Sequence, residues 1–287
     1  MNGSKTKKNS RIADVTRRLR RNRLAVFGLA CIVFLVLIAV FADFIAPYGY
    51  AEQHLMDAFQ APSAKYIFGT DEFGRDIFSR IIYGSRISLQ VGFIAVGLAM
   101  FVGGFLGAVS GYYGGRTDNI IMRLMDILLS IPQILLAIAI AASLGPGLFN
   151  LMIAVGISSI PSYARIVRGS VLSIKGQEFV EASKAMGAND LQIIMKHILP
   201  NCMAPIIVQA TLGVAFAILT AAGLSFIGLG IQPPIPEWGG MLSSGRGYIR
   251  DYAYMTLFPG LAIMITILAL NFLGDGLRDA LDPKLRR

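Results

Sequence analysis

Several long stretches of this sequence contain no charged residue, which leaves few folds open to it. They are residues 24–42, 87–115, 127–164, 201–236 and 252–274. A helix that crosses a bilayer needs roughly 20 such residues, and the sequence SLGPGLFN at 143–150 should turn the chain within the longest stretch. The charged fraction of 15% is also below the roughly 25% of soluble domains. We therefore predict an all-α polytopic membrane protein with six transmembrane helices, near 24–46, 87–110, 119–142, 149–168, 203–230 and 253–274.

The positions of the basic residues predict the orientation of these helices. Residues 1–23 hold nine Lys/Arg and one Asp, and a basic tail before a spanning helix is typical of a cytoplasmic N-terminus. Six crossings then place the C-terminus on the same side. The segments predicted to be cytoplasmic, which hold 20 of the 26 Lys/Arg, are 1–23, 110–123, 165–200 and 275–287. Because most of the net charge of +9 lies in the tail, we predict contact with the lipid bilayer and no binding of nucleic acid.

We expect four parts in a multi-pass protein of the cell membrane. They are a basic cytoplasmic N-terminal tail (1–23), a first transmembrane anchor helix with an extracytoplasmic segment (24–86), a core of five transmembrane helices (87–275) and a cytoplasmic C-terminal tail (276–287). In the second part, Phe73, Ile77 and Ile81 recur at helical spacing opposite a polar face that contains Arg75 and Arg80. This pattern predicts an amphipathic helix that lies at the membrane surface before the second span.

The second and third spans contain the residues that bear most on packing and on a polar interior. Glycines recur in the second span and predict close helix packing; they are Gly92, Gly97, Gly103, Gly104 and Gly107. In the third span, Arg123 and Asp126 are three residues apart and are expected to pair. Pro132 is expected to kink the helix. Ser130 and Gln133 lie beside this kink and are candidates for the lining of a polar cavity.

The sequence lacks the motifs of several enzyme classes. It contains no G-x-x-x-x-G-K-[ST] loop for ATP, no G-x-S-x-G and no H-E-x-x-H. The two histidines, His54 and His197, fall on opposite sides of the membrane in the predicted topology, and Cys31 and Cys202 fall in or beside spans. We therefore predict no catalytic site, no metal site, no disulfide and no cofactor bound by this chain. Energy for any uphill transport would have to come from a partner.

Residues 177–200, QEFVEASKAMGANDLQIIMKHILP, interrupt the apolar pattern and predict two short helices. Gly187 is expected to end the first helix, and Asn189 with Gln192 to form a capping box at the start of the second. Pro200 is expected to break the chain before the fifth span. The predicted apolar positions are Phe179, Ala182 and Met186 on the first helix and Leu191, Ile194, Met195 and Ile198 on the second. Such a hairpin either packs on its own bundle or docks into a groove of another protein.

The sequence EASKAMGANDLQIIMKHILP resembles the E-A-A-x-x-x-G-x9-I-x-L-P signature of importer permeases of the ATP-binding-cassette (ABC) class. The matching residues are Glu181, Ala182, Gly187, Leu199 and Pro200, and the departures are Ser183 and His197. The stretches FGTDEFGRDIFSRIIYGSRISL, MRLMDILLSIP, GLSFIGLGIQPPIPEWGGML and LFPGLAIMITILALNFLGDGLRDALDP are similar to the second permease subunit of dipeptide, oligopeptide and nickel transporters. The resemblance runs from about residue 20 to 287. It implies a type I ABC importer permease fold with a cytoplasmic coupling hairpin.

The resemblance also implies partners and functional residues. The partners would be a homologous second permease, two ATPase subunits that carry ATP and Mg, and an extracytoplasmic substrate-binding protein. The residues that would couple the chain to an ATPase are Glu181, Ala182, Ser183, Ala185, Met186, Gly187, Ala188, Leu199 and Pro200. Ser130 and Gln133 become candidates for the translocation path. Dipeptides or oligopeptides are the expected substrates, and a nickel complex or a glutathione-like peptide remains an alternative. A stand-alone secondary transporter is the alternative from another class.

Overall fold

The computed structural model describes residues 16–281, and helices dominate them. They are α1 (Arg23–Val40), α2 (Ala42–Ile45), α3 (Ile77–Tyr113), α4 (Gly115–Leu129), α5 (Gln133–Leu144), α6 (Leu148–Lys175), α7 (Glu178–Ala185), α8 (Asp190–Gln192), α9 (Leu199–Phe226), α10 (Trp238–Gly245) and α11 (Tyr254–Leu281). Short 3₁₀ helices cover Leu55–Asp57 and Arg246–Tyr248, and a π-helical segment covers Ile193–Ile198. The described residues contain no β-strand. The greater part of the predicted N-terminal tail and the end of the C-terminal tail lie outside the described residues.

Helices of membrane-spanning length account for five of the six predicted crossings, and a bent helix pair can supply the sixth. By length and composition, α1, α3, α6, α11 and the continuous run Asp190–Phe226 could each cross a membrane. The sixth crossing is α4 together with α5, which are separated by an 86° bend. Proline lacks a backbone N–H and keeps the preceding residue out of the helical conformation. Pro132, at the bend, therefore breaks the third span rather than only kinking it.

The predicted ion pair within α4 is wrong. Asp126 accepts a hydrogen bond from the Arg165 guanidinium of α6 at 2.8 Å, and not from Arg123. Both side chains of the observed pair are exposed. The carboxylate therefore joins two helices, which the spacing of residues along one helix could not predict.

Close packing of α3 against α6 depends on a stripe of three glycines at four-residue intervals. A Cβ on Gly103 would lie 2.6 Å from the Ile160 carbonyl oxygen, and a Cβ on Gly107 would overlap the Ala164 carbonyl oxygen. Gly111 meets α6 one turn further on. The small residues let the two backbones touch, as is common between helices in lipid.

The amphipathic surface helix predicted before the second span is wrong as a separate element. Residues 77–86 are the first turns of α3, which continues without interruption to Tyr113. Asp76 caps this helix, because its carboxylate accepts a hydrogen bond from the Ser79 N–H at 2.8 Å. Arg75 and Arg80, predicted on a solvated face, are buried. The chain before α3 folds over this face, so its charges are enclosed.

Residues 46–76, called the connector below, are held by a network around Asp57. The Asp57 carboxylate accepts hydrogen bonds from Gln60 Nε2 at 2.8 Å, Lys65 Nζ at 2.7 Å and the Tyr66 hydroxyl at 2.8 Å. The bonds from Lys65 and Tyr66 hold the pKa of Asp57 below its usual value. The connector is therefore an ordered segment although it contains little regular secondary structure.

Buried charges attach the connector to α3. Arg75 Nε donates to the Asp71 carboxylate at 2.6 Å. Arg80 donates to the carbonyl oxygens of Tyr50, at 2.8 Å, and of Pro234, at 3.3 Å. Burial also raises the pKa of Glu72, beside this cluster. Arg80 thus joins the connector, α3 and the α9–α10 loop at one end of the bundle.

Candidate functional site

The hairpin predicted from the charged stretch is present, and a tight turn joins its two arms. Gly187 has φ +85°, a conformation that residues with a Cβ rarely adopt. The N–H of Gly187 donates to the Lys184 carbonyl at 3.0 Å, and the N–H of Ala188 donates to the Ser183 carbonyl at 3.2 Å. These two bonds form a Schellman motif and satisfy carbonyls at the end of α7.

The second arm starts at the predicted capping box. Asn189 Oδ1 accepts from the Gln192 N–H at 2.8 Å, and Gln192 Oε1 accepts from the Asn189 N–H at 3.4 Å. The N–H groups of a first helical turn have no partner within the helix, and this box satisfies two donors at its start. Both bonds are local, so the sequence alone was sufficient to predict them.

The predicted break at Pro200 is wrong. The π-helical segment Ile193–Ile198 leads directly into α9, so the second arm and the fifth span form one run from Asp190 to Phe226. Pro200 lies at the N-terminal end of α9. The preceding hydrogen bonds join residues five apart, as from the Leu199 N–H to the Ile194 carbonyl. Proline is tolerated at the first turn of an α-helix because its missing N–H needs no partner there.

The hairpin packs on the bundle along one edge and leaves the other edge free. Val180 and Ile193 are buried, together with Ile198, in a cluster that includes Val167 and Val171 of α6. Met186 and Leu191 are 82% and 70% exposed. Most of the apolar positions predicted on the hairpin are therefore exposed: Phe179, Ala182, Met186, Leu191 and Met195. An exposed apolar edge on a charged hairpin is typical of an interaction surface.

Most of the residues predicted to couple the chain to an ATPase lie on the accessible part of the hairpin. The exposed ones are Glu181, Ala182, Ala185, Met186, Gly187 and Pro200; Ala188 and Leu199 are half-buried. Ser183 is only 3% exposed. Its side chain therefore faces the bundle and not the free edge of the hairpin.

Polar contacts that the sequence analysis missed attach the hairpin to the spans. The Tyr112 hydroxyl, at the end of α3, donates to the Asp190 carboxylate at 2.7 Å. Arg168 of α6 makes two hydrogen bonds of 2.6 Å to the Asp118 carboxylate of α4. The Ser110 hydroxyl of α3 donates to the same carboxylate. These bonds join the ends of α3, α4 and α6 to one another, and Tyr112 joins α3 to the hairpin.

We expect Tyr112→Phe to loosen the hairpin without unfolding the bundle. The variant removes one hydrogen bond to a charged acceptor, which contributes about 1.5 kcal/mol or more. Amide hydrogen exchange within residues 178–198 should then become about tenfold faster. Exchange in residues 77–100 serves as the internal control and should not change. Equal exchange at the hairpin in the variant and the wild type would contradict the role of this contact.

A second feature is a polar cavity of about 440 Å³ among four spans. Gln133 of α5 lies in its wall and donates from Nε2 to Ser159 Oγ of α6 at 2.9 Å. The Tyr163 hydroxyl donates to the Gln209 carbonyl of α9 at 3.3 Å. Further polar side chains that the sequence analysis missed in this wall belong to Ser159, Ser162, Tyr163, Gln209 and Asn271. The wall contains no ionisable carboxylate, amine or guanidinium.

Ser130, the other residue predicted for the translocation path, does not line this cavity. Its side chain is exposed and donates to the Ile127 carbonyl at 2.7 Å. Ser130 precedes the break at Pro132 and Gln133 follows it, so the two residues lie on opposite sides of the 86° bend. Among residues 16–281 there is no group of three or more His, Cys, Asp or Glu that could hold a metal ion.

Spanning helices around an uncharged polar cavity, with a hairpin that protrudes at one end, define a multi-pass membrane permease. The family model for the inner membrane component of binding-protein-dependent transport systems matches residues 103–287. The model for the N-terminal transmembrane domain of oligopeptide transport permease C matches residues 10–62. The chain belongs to the family of binding-protein-dependent transport system inner membrane components.

Curated relatives and solved structures agree with this family. The dipeptide transport system permease protein DppC of Alkalihalophilus pseudofirmus is 53% identical over 273 residues, which cover 95% of this chain and 90% of the relative. The glutathione transport system permease protein GsiD of Escherichia coli O6:K15:H31 is 46% identical, with 94% and 89% covered. The methionine ABC transporter MetNI in an inward-facing conformation matches with a TM-score of 0.57 at 21% identity, over 71% of this chain and 96% of that chain. The structural likeness supports the fold alone.

Proposed function

We propose that this chain is one permease subunit of an ATP-driven ABC importer for dipeptides and related short peptides. The single observation that carries the proposal is the exposed hairpin, whose free edge presents Glu181, Met186 and Gly187 away from the bundle. A homologous permease would complete the translocation path. An extracytoplasmic binding protein would deliver substrate, and two ATPase subunits would bind and hydrolyse ATP with Mg. The relative named as a dipeptide permease supports this substrate class.

In the proposed mechanism, the hairpin transmits the motion of an ATPase to the spans. Docking in an ATPase groove would engage the exposed edge of α7 and the turn at Gly187. Tyr112 and the buried cluster at Ile193 would carry displacement of the hairpin into α3 and α6. To shift a two-state balance from 1:99 to 99:1 requires roughly 5.5 kcal/mol of differential binding. ATP-driven closure of two ATPase subunits on two hairpins is an adequate source of that energy.

The proposed orientation has the hairpin and both termini in the cytoplasm. Arg116, Arg165, Arg168 and Lys175 cluster at the hairpin end of the bundle. Positively charged residues concentrate on the cytoplasmic side of membrane proteins. The connector, at the other end of α3, would then face the binding protein.

The polar cavity is the proposed part of the path contributed by this chain. Its amide and hydroxyl groups can hydrogen-bond a peptide backbone, and a wall without charged groups imposes no charge preference on the peptide side chains. A bare nickel ion would find none of the carboxylate, imidazole or thiolate ligands it prefers in that wall. A glutathione-like peptide is a second candidate, because a relative of this chain carries that name.

The test is a pull-down of the tagged chain from native membranes in mild detergent, followed by uptake assays. We expect mass spectrometry to identify a second permease and ATPases that contain a nucleotide loop. Vesicles that carry the complex in their membrane, with the binding protein on the connector side, should take up labelled dipeptide. This uptake should require ATP on the side of the membrane that the hairpin faces. Recovery of the chain alone, with uptake that needs no nucleotide, would instead establish a secondary transporter. Competition of dipeptide uptake by glutathione or nickel would separate the remaining substrates.

Substitution of Gln133 tests the proposed path. Gln133→Leu removes the hydrogen bond to Ser159 and a polar group of the wall, a loss of about 1 kcal/mol. We expect an about fivefold lower rate of peptide uptake, with ATP hydrolysis by the partners retained. Ser130→Ala, on the exposed side of the bend, is the matched control and should transport normally. Equal uptake by the two variants would exclude this cavity from the path.

A further inference from the structure

A long apolar groove lies between α3 and the hairpin arm that continues into α9. Its volume is about 550 Å³. One wall runs along α3 from Met100 to Tyr113, and the other runs from Leu191 to Ile206. At a rise of 1.5 Å per residue each wall is about 20 Å long, and the hydrocarbon core of a bilayer is about 30 Å thick. The groove is therefore long enough to follow the full depth of one leaflet.

The groove is open in its middle and almost entirely apolar. A Cβ placed on Gly104 would have no neighbouring atom within 4 Å. Val167, which is buried, lies at the bottom, whereas Phe105 and Met195 at the rims are 65% and 57% exposed. The Tyr113 hydroxyl is the one polar side-chain group in the lining of this groove. The groove thus offers an apolar slot with a single polar end.

Basic side chains lie near the polar end of the groove. The Lys175 amino group is 5.8 Å from the centre of the Tyr112 ring. Lys196 follows the groove residue Met195 in the hairpin and is exposed. Two acidic side chains lie at this end: Asp190 accepts the hydrogen bond from Tyr112, and Asp118, which is near Lys175, pairs with Arg168. Lysines next to an apolar slot favour a ligand that combines an anionic phosphate with an alkyl chain.

We propose that this groove binds one phospholipid from the leaflet on the hairpin side. One acyl chain lies between α3 and the start of α9, and the phosphate lies beside Lys175 and Lys196. The groove opens onto the exposed apolar face of α3, which contains Phe101 and Phe105 and is continuous with the surface that contacts bilayer lipid. A lipid can therefore enter sideways from the membrane.

The surroundings of the groove favour an alkyl chain over a protein helix as its occupant. The groove opens sideways along the exposed face of α3 that contains Phe101 and Phe105. A single alkyl chain is the narrower ligand that the bilayer supplies. The bound lipid would touch both α3 and the hairpin, whether or not the chain couples to an ATPase.

The first test counts the phospholipid that stays bound to the complete chain and its co-purified companions in mild detergent. Gly104→Leu places a side chain in the open middle of the groove. Gly97→Leu is the matched control, because Gly97 lies two turns earlier on α3, outside the groove, and also has open space around it. Native mass spectrometry should find one phospholipid fewer per chain in Gly104→Leu than in the wild type or Gly97→Leu. Equal retention by all three proteins would overturn the proposal.

The second test separates a bound lipid from bulk lipid and from a covering protein. Phe105→Trp puts a fluorescent reporter at the groove, and Phe93→Trp puts one on α3 outside it; both phenylalanines are exposed, whereas the native Trp238 is buried. The reporters are compared in phosphatidylcholine vesicles in which one fifth of the lipid is brominated phosphatidylglycerol. One lysine near the headgroup should enrich the anionic lipid around the groove about fivefold. We therefore expect the brominated lipid to quench Phe105→Trp more strongly than Phe93→Trp. Lys196→Gln should remove this excess.

Two results of the second test would overturn the proposal. Equal quenching of the two reporters would mean that the groove holds only bulk lipid. A Phe105→Trp reporter without quenching would mean that a protein segment covers the groove.

Discussion

Replacement of Gly187 by proline should abolish ATP-driven transport while the membrane bundle stays folded. Gly187 has φ +85°, whereas the proline ring fixes φ near −65°. Proline also cannot make the N–H bond to the Lys184 carbonyl that closes the turn. The turn would lose about 3 kcal/mol or more. This corresponds to an about hundredfold smaller population of the docked hairpin, and peptide uptake into vesicles should fall by a similar factor.

The control for this variant is Gly176→Ala at the start of the same hairpin. Gly176 has φ −90° and open space around its Cα, so alanine fits there and transport should be normal. Glu181→Lys changes the charge of the exposed edge without altering the turn and is also expected to uncouple transport. ATP hydrolysis and recovery of the complex, measured on the same samples, separate uncoupling from failed assembly. Normal uptake by Gly187→Pro would mean that the hairpin does not couple.

Gly107→Leu is expected to separate α3 from α6 and to destabilise the whole bundle. Any side chain at this position overlaps the Ala164 carbonyl oxygen, and a backbone atom in the middle of a helix cannot move aside as a side chain can. Overpacking costs about 1–3 kcal/mol in well-packed cores, and we expect the upper end here. The Tm in detergent should fall by about 10 °C, with a lower yield of monodisperse protein.

Gly97→Leu is again the matched control, because a Cβ on Gly97 meets nothing within 4 Å. Its Tm should equal that of the wild type. A wild-type Tm for Gly107→Leu would mean that the α3–α6 contact contributes little to stability.

Features that depend on local sequence were predictable. The apolar spans, the capping box at Asn189 and the turn at Gly187 each follow from a few neighbouring residues, and the structure contains them. The glycines of α3 predicted close packing, but the sequence did not show which of them make it. Contacts with α6 and α9 in the structure involve Gly92, Gly103 and Gly107, whereas Gly97 and Gly104 touch no neighbouring helix.

Features that depend on distant residues were not predictable. Helical periodicity placed Arg75 and Arg80 on a solvated face, because it could not show that the connector folds over them. The partner of Asp126 is Arg165 on another helix. The polar cavity requires four helices to meet, so only Gln133, next to a proline, had a local signal that suggested it. Asn271 and Gln209 were missed because a single amide in an apolar stretch does not show which side of its helix faces the other helices.

The continuity of α3 provides a link between the two ends of the bundle that is separate from the polar cavity. The helix is about 55 Å long for its 37 residues. It extends from the buried charges of the connector to the Tyr112 contact with the hairpin. No residue of α3 lines the polar cavity. A displacement of one end of α3 would therefore reach the other end without passing through the residues of the cavity wall. In the proposed importer, a docked binding protein could signal its arrival to the ATPases before any peptide has left it.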